Sequence, residues 1–321
     1  MKESRAPNSF SLSFALAVVV LSSLLILAWS REDQDSDSDT CDVPRQHPND
    51  PQLWLYTFDS VSSSQDAAKQ ISEGGFAQGG EETLSMTPTS FVVTTREQTH
   101  GRGTNGRAWM GQRGNVFVTI GIQQKHWMES KIPLTLLPLK VGSIVADNVQ
   151  RMLDRCHPAR GTPDAPLVTV KWPNDVLVDE RKISGVLIES SSNGWFLVGI
   201  GVNLAFAPVI DTSGPNRGRP ATSIKTVCPD TVTSISLDEE TAERFGIELG
   251  YHLHSFLMEG GTGDDVLNEW KRWIDWDMEL VLRDTPGHER VKITGVLPDG
   301  RIQVQHIDDG RIRTLVSDYF L

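Results

Sequence analysis

The chain has 321 residues, of which 38% are hydrophobic and 22% charged, as expected of a globular protein with a sizeable core in one large or two ordinary domains. Its net charge of −12 argues against a nucleic-acid partner, because phosphate binding requires a basic face. The three cysteines, Cys41, Cys156 and Cys228, lie far apart without metal-ligand spacing. We therefore expect reduced thiols rather than a disulfide framework.

The N-terminal segment contains an uncharged apolar run over residues 10–29, preceded by two basic residues. A run of this length can span a membrane, but the basic start and the small-residue site at 28–30 also resemble a cleavable secretory signal. Residues 1–30 are therefore predicted to be a signal peptide or a membrane anchor, and both readings stay open. Residues 31–51 are acidic, rich in Ser, Pro and Asn, and predict a disordered linker.

The first half of the folded part is predicted to alternate strands with helices. β-Branched and aromatic residues indicate the strands, a serine is expected to cap the short helix, and apolar residues at helical spacing indicate the long one. The predicted elements are a strand over 53–58, a helix over 65–71, a surface loop over 72–90, strands over 91–95 and 114–120, and a packed helix over 136–156.

The second half is predicted to begin with antiparallel strands joined by tight turns. A strand over 167–172 stops at a proline, and further apolar runs indicate a meander. The predicted elements are strands over 175–178, 183–189 and 195–203, an irregular Pro/Gly-rich excursion over 207–236, and helices over 238–259 and 263–276. The tail over 278–321 alternates in short strands around Pro/Gly turns, which is typical of a small β-barrel.

The segment Gln98–Trp109 is the first candidate for a functional site. It is predicted to be a flexible loop between two strands, and it contains three glycines and two arginines. Backbone amides exposed by glycine, with guanidinium groups beside them, commonly hold a polyanion such as a nucleotide phosphate. Lys171 is the second candidate, because it ends an apolar strand directly before a Pro-Asn-Asp turn. A lysine in that position is often only a solvated surface residue, but near the glycine loop it is well placed to meet a carboxylate or phosphate.

Four segments resemble the signature segments of biotin–protein ligases, the family of biotin–[acetyl-CoA-carboxylase] ligases and holocarboxylase synthetases. They occur in the family's order, and the resemblance covers roughly residues 53–321. No helix-turn-helix precedes them, so the chain resembles the type without a DNA-binding domain. The segments are Gly101-Arg102-Gly103-x-x-Gly106-Arg107-x-Trp109, Lys171-Trp172-Pro173-Asn174-Asp175, Lys182-Ile183-x-Gly185-Val186-Leu187-Ile188-Glu189 and Gly199-Ile200-Gly201-Val202-Asn203-Leu204.

The resemblance implies an α+β fold and a two-step reaction. Residues 52–277 would form a catalytic domain with a mixed sheet like that of class II aminoacyl-tRNA synthetases and helices on one face. Residues 278–321 would form an SH3-like β-barrel. Biotin and ATP with Mg²⁺ would give biotinyl-5′-AMP and pyrophosphate, and a lysine of a carboxylase's biotin-acceptor domain would then take the biotin.

The resemblance also implies roles for individual residues. Lys171 would bind the biotin carboxylate, Arg102 would wrap the adenylate, and Arg107 would face the pyrophosphate. No protein ligand for a metal is assigned with certainty, since Mg²⁺ would be carried by ATP. The residues expected to bind biotin or nucleotide are Ser63, Ser64, Gln65, Gln98, Gly101, Arg102, Gly103, Thr104, Trp109, Lys171, Asp175, Lys182, Gly185 and Asn203. For Lys182 and Asn203 a purely structural role in a turn is an open alternative. Asp175 would either help to hold the metal or only cap the turn, and both readings stay open.

Two positions depart from the family pattern. Ser62-Ser63-Ser64-Gln65 stands where the family usually has Asp-Ser-Thr-Asn, which keeps the hydroxyls but leaves Gln65 as an uncertain match to the asparagine. Thr104 stands where some relatives carry a further arginine. A missing cation beside the adenylate predicts looser retention of that intermediate.

Two other functions remain open from the sequence. A lipoate or octanoate ligase would share the fold but lack the Gly-Arg-Gly loop and the Trp-Pro-Asn-Asp turn. A membrane-tethered biotin-binding protein without catalysis would explain residues 10–29, the one expected membrane contact. The cellular location is open between the secretory route, for example towards a complex plastid, and the cytoplasm if the start codon is misassigned. A homodimer is a further open possibility.

Overall fold

A computed structural model describes residues 41–74, 88–156, 165–212, 218–228, 236–282 and 289–316. The predicted signal or anchor over 1–30 lies outside these residues, as do most of the predicted loop over 72–90 and the first part of the acidic linker. In the described part of the chain, no helix is long and apolar enough to cross a membrane.

The centre of the fold is an eight-stranded mixed sheet with the order β1-β2-β3-β4-β8-β7-β6-β5. β2 and β3 are parallel, and every other neighbouring pair is antiparallel. The predicted meander is therefore confirmed. The strands are β1 (Arg45–His47), β2 (Asp50–Val61), β3 (Ser90–Gln98), β4 (Val116–Gln123), β5 (Val168–Lys171), β6 (Asp175–Val178), β7 (Arg181–Ser190) and β8 (Trp195–Val202).

Helices cover both faces of this sheet, whereas helices on one face were predicted. The side chains of β2 alternate between the two faces of the sheet, and both faces are apolar. Leu55 points into the larger core with the long helices, while Tyr56 points to the opposite face. There Ala67 and Ala68 of α1 pack against the sheet. The helices are α1 (Ser64–Ser72), α2 (Gln124–Glu129), α3 (Leu137–Cys156), α4 (Ile224–Val227), α5 (Glu239–Met258) and α6 (Gly263–Trp270).

Three predicted boundaries are wrong. Residues 45–47 and 50–51 of the predicted linker belong to β1 and β2, where Arg45 lies opposite Leu55 at the sheet edge. An exposed edge strand shows no apolar periodicity. The last helix ends at Trp270 rather than at residue 276. The predicted excursion contains α4, whose N-cap Ser223 accepts a hydrogen bond from the backbone N–H of Thr226 at 3.1 Å.

The C-terminal residues form a second, antiparallel sheet with the order β12-β11-β10-β9. Its apolar side chains join the main hydrophobic core, and Trp172 Nε1 donates a hydrogen bond to the carbonyl oxygen of Gly300 at 3.1 Å. The small sheet therefore packs beside the turn that follows Lys171. Its strands are β9 (Glu279–Val281), β10 (Arg290–Val296), β11 (Ile302–His306) and β12 (Ile312–Leu315).

The prediction that all cysteines are free thiols is wrong. Cys156 and Cys228 form a disulfide, with their Cα atoms 5.9 Å apart, and Cys41 is free. Cys156 is the last residue of α3, and Cys228 directly follows α4. The two are 72 residues apart in the chain, so only the packing of α4 beside α3 brings them together.

Candidate functional site

The segment predicted as a flexible loop, Gln98–Trp109, is an ordered narrow hairpin. The backbone N–H of Trp109 donates to Gly101 O at 2.8 Å, and that of Gly103 donates to Arg107 O at 2.7 Å. At its tip, Gly106 adopts a left-handed φ of 69°, which glycine accepts without steric cost. We call this segment the glycine hairpin. The glycines of this hairpin allow its tight backbone path, in addition to any role in ligand binding.

The indole ring of Trp109 lies on the sheet over two glycines, Gly185 of β7 and Gly201 of β8, which are directly paired across the strands. A Cβ atom at Gly201 would be 2.2 Å from Trp109 Cε2, and one at Gly185 would be 3.0 Å from its Cζ3. Any side chain at Gly201 would therefore displace the indole. This contact fixes the glycine hairpin against the strands.

Beneath the glycine hairpin lies a pocket of about 50 Å³, which we call the narrow pocket. One part of its wall is apolar and one part carries hydroxyl and amide groups. It is lined by Ser63, Ser64, Gln65, Gln98, Arg102, Gly103, Thr104, Trp109, Asn174, Lys182, Gly185, Val186, Leu187, Gly199, Ile200 and Gly201. Such a mixed wall suits a small ligand with an apolar body and one polar end.

The polar wall of the narrow pocket is held by a hydrogen-bond network. The backbone N–H of Ser64 donates to Gln98 Oε1 at 2.7 Å, which fixes the orientation of the Gln98 amide. Thr119 Oγ1 is 3.0 Å from Ser64 Oγ and 3.1 Å from Gln65 Oε1. Gln65 Nε2 donates to Leu197 O at 3.0 Å, so this uncertain match to the family's asparagine is anchored to the sheet at both ends of its amide. The network pre-orients the polar groups for a ligand.

The narrow pocket adjoins a larger space of about 390 Å³, which we call the wide cavity. The two share Gly103, Thr104, Trp109 and Lys182. The charged residues of the wide cavity are Arg107, Lys182, Asp211 and Arg219. Lys182 therefore stands where the two spaces meet, and its Nζ is 5.6 Å from the centre of the Trp109 ring. Its position allows one ammonium group to contact a ligand in each space.

Asp175 lies between two lysines next to this junction. Its Oδ1 is 2.6 Å from Lys182 Nζ, and its Oδ2 is 3.4 Å from Lys171 Nζ. Burial lowers the pKa of Lys171 to about 8, with Asp175 opposing that shift. Burial alone would raise the pKa of Asp175, but Lys182 and Lys171 lower it to about 2. Asp175 is therefore ionised at neutral pH and orients Lys182.

The structure places Lys171 and Lys182 differently relative to the two spaces. Lys171 lies buried at the end of β5 and lines neither the narrow pocket nor the wide cavity, whereas Lys182 lines both. Asp175 also lines neither space. Lys171 and Lys182 are separated by the turn between β5 and β6 and by the pairing of β6 with β7. The role of Lys171 at the biotin carboxylate stays a prediction, and Lys182 is a second candidate for the cation at the junction.

The two arginines of the glycine hairpin are held by different partners. Arg102 donates to Glu189 Oε1 at 3.1 Å and Oε2 at 2.9 Å, and lies 2.9 Å from Asp66 Oδ1. Arg107 Nη2 donates to Thr104 Oγ1 at 3.1 Å, and its Nε donates to Thr104 O at 3.2 Å. Thr104, which stands where some relatives have arginine, therefore orients Arg107.

Among the remaining predicted residues, Asn203 has a structural role in addition to its place on the wide cavity. It is buried, and its Nδ2 donates to Thr222 O at 3.1 Å, which ties the chain before α4 to the end of β8. Gly101 lies in the glycine hairpin, and a Cβ atom there would be 2.5 Å from Trp109 O. Both therefore support the shape of the site.

Three residues near the site were not predicted. Asn174 lines the narrow pocket and donates to Val186 O at 2.8 Å; its place in the Trp-Pro-Asn-Asp segment was the available signal. Asn115 Oδ1 accepts hydrogen bonds from three successive backbone N–H groups, over 204–206, and so orders the chain after β8. Arg219 enters the wide cavity from the irregular excursion, for which the sequence carried no signal.

The described residues contain no group of three or more His, Cys, Asp and Glu side chains that could hold a metal ion. Both oxygens of Asp175 face ammonium groups, which would repel a divalent cation. The alternative role of Asp175 as a metal ligand therefore does not fit its surroundings.

The family model and the relatives that match this chain are biotin or lipoate protein ligases. A model of the Biotin/lipoate A/B protein ligase family matches residues 77–204. The biotin–[acetyl-CoA-carboxylase] ligase of Paracoccus denitrificans is 34% identical over 134 residues, which cover 40% of this chain and 51% of that protein. The bifunctional ligase/repressor BirA of Escherichia coli (strain K12) is 28% identical over 196 residues, covering 58% of this chain and 53% of that protein. The matches thus span about half the length of these relatives.

Solved structures share the fold over a larger part of the chain. The biotin protein ligase from Leishmania major, in complex with biotinyl-5-AMP, is 28% identical with a TM-score of 0.55 and covers 81% of this chain and 98% of that one. The biotin protein ligase from Aquifex aeolicus, in complex with biotin and ATP, is 22% identical with a TM-score of 0.57 and covers 83% and 97%. The expected α+β fold with a large mixed sheet is confirmed.

Proposed function

We propose that this chain is a member of the biotin/lipoate A/B protein ligase family and an ATP-dependent biotin–protein ligase. It would join biotin and ATP to biotinyl-5′-AMP with release of pyrophosphate, and then transfer the biotin to a lysine of an acceptor protein. The observation that supports this proposal most strongly is the junction of the narrow pocket and the wide cavity at Lys182. A carboxylate in one space and a phosphate in the other would meet at that ammonium group.

In the first step, two anions must approach each other. A carboxylate oxygen of biotin attacks the α-phosphorus of ATP, and the bond from that phosphorus to the pyrophosphate oxygen breaks. Lys182 would offset the repulsion, held in place by Asp175, and Arg107 would face the leaving pyrophosphate. Positioned cations of this kind stabilise developing charge without having to reorganise during the reaction.

Biotin would occupy the narrow pocket with its ureido group towards the polar wall. The Gln98 amide, oriented by Ser64, and the hydroxyl groups of Ser63 and Ser64 supply donors and acceptors there. The apolar part of the ligand would contact the wall formed by Val186, Leu187 and Ile200, beside the glycines Gly185, Gly199 and Gly201.

In the second step, the amine of an acceptor lysine would attack the carbonyl carbon of the mixed anhydride, and AMP would leave. The anhydride is already activated, so orientation and charge stabilisation do most of the work and no protein nucleophile is required. Arg102 and Gly103 of the glycine hairpin line the narrow pocket beside the junction and would hold the adenylate. Mg²⁺ would arrive with ATP, since the phosphate oxygens of a nucleotide are common ligands for this ion.

An assay of label transfer tests the proposed function. The chain is incubated with labelled biotin, ATP, magnesium and a biotin-acceptor domain of a carboxylase, with labelled octanoate and lipoate in parallel reactions. We expect ATP-dependent label on the acceptor from biotin alone. Transfer of octanoate or lipoate instead would identify the related ligase, and tight biotin binding without transfer would identify a non-catalytic binding protein.

The domain limits and the cellular location are proposals as well. We place the catalytic domain over residues 52–277, extended at its edge by β1, and the smaller C-terminal domain over 278–321. Residues 1–30 keep the sequence prediction of a signal or anchor. Imaging a fusion that carries residues 1–50 tests it; a diffuse cytoplasmic signal would contradict it.

A further inference from the structure

Arg219 is a basic residue of the wide cavity that neither the sequence motifs nor the resemblance assigns. It lies in the chain segment between β8 and α4, and it lines the cavity together with Thr104, Arg107 and Lys182. We propose that Arg219 binds phosphate oxygens of the nucleotide and supplies the positive charge that Thr104 lacks. This inference rests on the proposed function, since it names a further residue for the same site.

The backbone around Arg219 is fixed on both sides by β7. The N–H of Lys182 donates to Pro220 O at 2.8 Å, and the N–H of Thr222 donates to Lys182 O at 2.9 Å. Lys182 and Ala221 thus form a parallel bridge outside the main sheet. Because Arg219 directly precedes this bridge, its position follows that of Lys182, the residue at the cavity junction.

The side chain of Arg219 is also fixed near its charged end. Nη1 donates to the carbonyl oxygen of Glu180 at 3.1 Å, in the turn between β6 and β7. Glu180 has a left-handed φ of 61°, as does Asp179 before it with 47°. A planar guanidinium fork suits the oxygens of a phosphate.

The charge around Arg219 favours an anionic ligand. Lys171, Lys182 and Arg219 all act electrostatically on the one carboxylate of Asp175. Burial removes part of the water around the Arg219 cation and lowers its pKa, while Asp175 and Glu180 oppose that shift. Among the described residues that line the wide cavity, three cations, Arg107, Lys182 and Arg219, face one carboxylate, Asp211, and this excess of positive charge favours an anionic ligand.

The position of Arg219 selects phosphate over biotin as its ligand. Arg219 lines the wide cavity but is absent from the wall of the narrow pocket, where the Ser63, Ser64 and Gln98 groups lie. Removal of its charge is therefore expected to weaken nucleotide binding and to leave biotin binding almost unchanged.

Calorimetric titration of the full chain tests this assignment without requiring turnover. Arg219→Met and the matched control Lys225→Met, an exposed cation on the nearby helix α4, are each titrated with ATP, with inorganic pyrophosphate and with biotin. For Arg219→Met we expect the Kd for ATP and pyrophosphate to rise about tenfold or more, as for the loss of a charged hydrogen bond, and the Kd for biotin to stay within about twofold. Lys225→Met is expected to bind all three as the parent does.

Arg219→Gln serves as a second variant if the methionine variant does not fold, because it keeps a donor for Glu180 O and removes the charge. Unchanged ATP and pyrophosphate affinity in the folded variant would overturn the assignment, as would an equal loss of biotin affinity. A parent protein that binds neither ATP nor pyrophosphate would overturn it too. If the parent binds ATP through Arg219 but forms no biotinyl-5′-AMP, the assignment stands and the proposed function fails.

Discussion

Replacing Asp175 by asparagine is expected to destabilise the fold strongly, although the change is nearly isosteric. The side chain is only 14% exposed, and its two oxygens contact Lys182 and Lys171. An asparagine would leave both ammonium groups without their carboxylate. Removal of one member of a buried ion pair is costly because the remaining charge is still shielded from water.

The size of the effect follows from the pKa of Asp175. A fall from the ordinary 3.8 to about 2 corresponds to about 2 kcal/mol of stabilisation of the folded state. Because this pKa is lowered on folding, the contribution is present above pH 3.8 and disappears as the pH falls towards 2. With the cost of the uncompensated lysines, we expect Asp175→Asn to lower the free energy of unfolding by about 2–5 kcal/mol at pH 7.

Urea unfolding of the parent, Asp175→Asn and Asp308→Asn measures this difference. Asp308 is 75% exposed and pairs with Arg290 on the surface, so its replacement is expected to cost less than about 1 kcal/mol. Asp175→Asn is also measured in a Lys171→Met background, where one fewer buried cation is left uncompensated and the loss should be smaller. A loss below about 1 kcal/mol, or the same loss in both backgrounds, would refute this reasoning.

Three further predictions concern neighbouring features of the site. Gly201→Ala is expected to push the Trp109 indole off the sheet, because a Cβ atom there would be 2.2 Å from it; tryptophan fluorescence should change and biotin affinity should fall, and parent-like values for both would contradict the contact. Thr104→Arg is expected to slow the release of biotinyl-5′-AMP, measured by rapid filtration, and equal release rates would show that the missing arginine is immaterial. Lys171, with a pKa lowered from 10.5 to about 8, binds its proton less well in the folded chain, so its contribution to stability rises with pH between those values. Lys171→Met should flatten that rise in urea unfolding; an identical pH profile in both proteins would contradict the lowered pKa.

Local sequence patterns were sufficient to predict most elements of the fold. Apolar spacing located α3, and β-branched runs located β2, β3 and β4 within a few residues. The pairing of β7 with β8 followed from the tight turn at Ser192–Gly194. Such signals are local, so they survive without any knowledge of tertiary packing.

The errors have in common that they depend on contacts between distant parts of the chain. The Cys156–Cys228 disulfide requires α4 to pack beside α3, and the opposite-face position of α1 depends on how the chain crosses the sheet. The placement of Lys171 also depends on such contacts, and its role at the biotin carboxylate stays a prediction. Lys171 ends β5 and Lys182 lies at the start of β7, and β6 pairs with both strands between them. This arrangement leaves Lys171 buried while Lys182 lines the cavities.

The rate of biotinyl-5′-AMP formation in two matched lysine variants tests the central claim most directly. Lys182→Met and Lys171→Met each remove one ammonium group beside Asp175, but only Lys182 lines the two ligand spaces. In a single-turnover reaction with biotin, ATP and magnesium, we expect Lys182→Met to lose at least about 100-fold in rate, the upper part of the range for a charged hydrogen bond, and Lys171→Met to lose less than about tenfold. The opposite order, or a parent protein that forms no biotinyl-5′-AMP, would contradict the account.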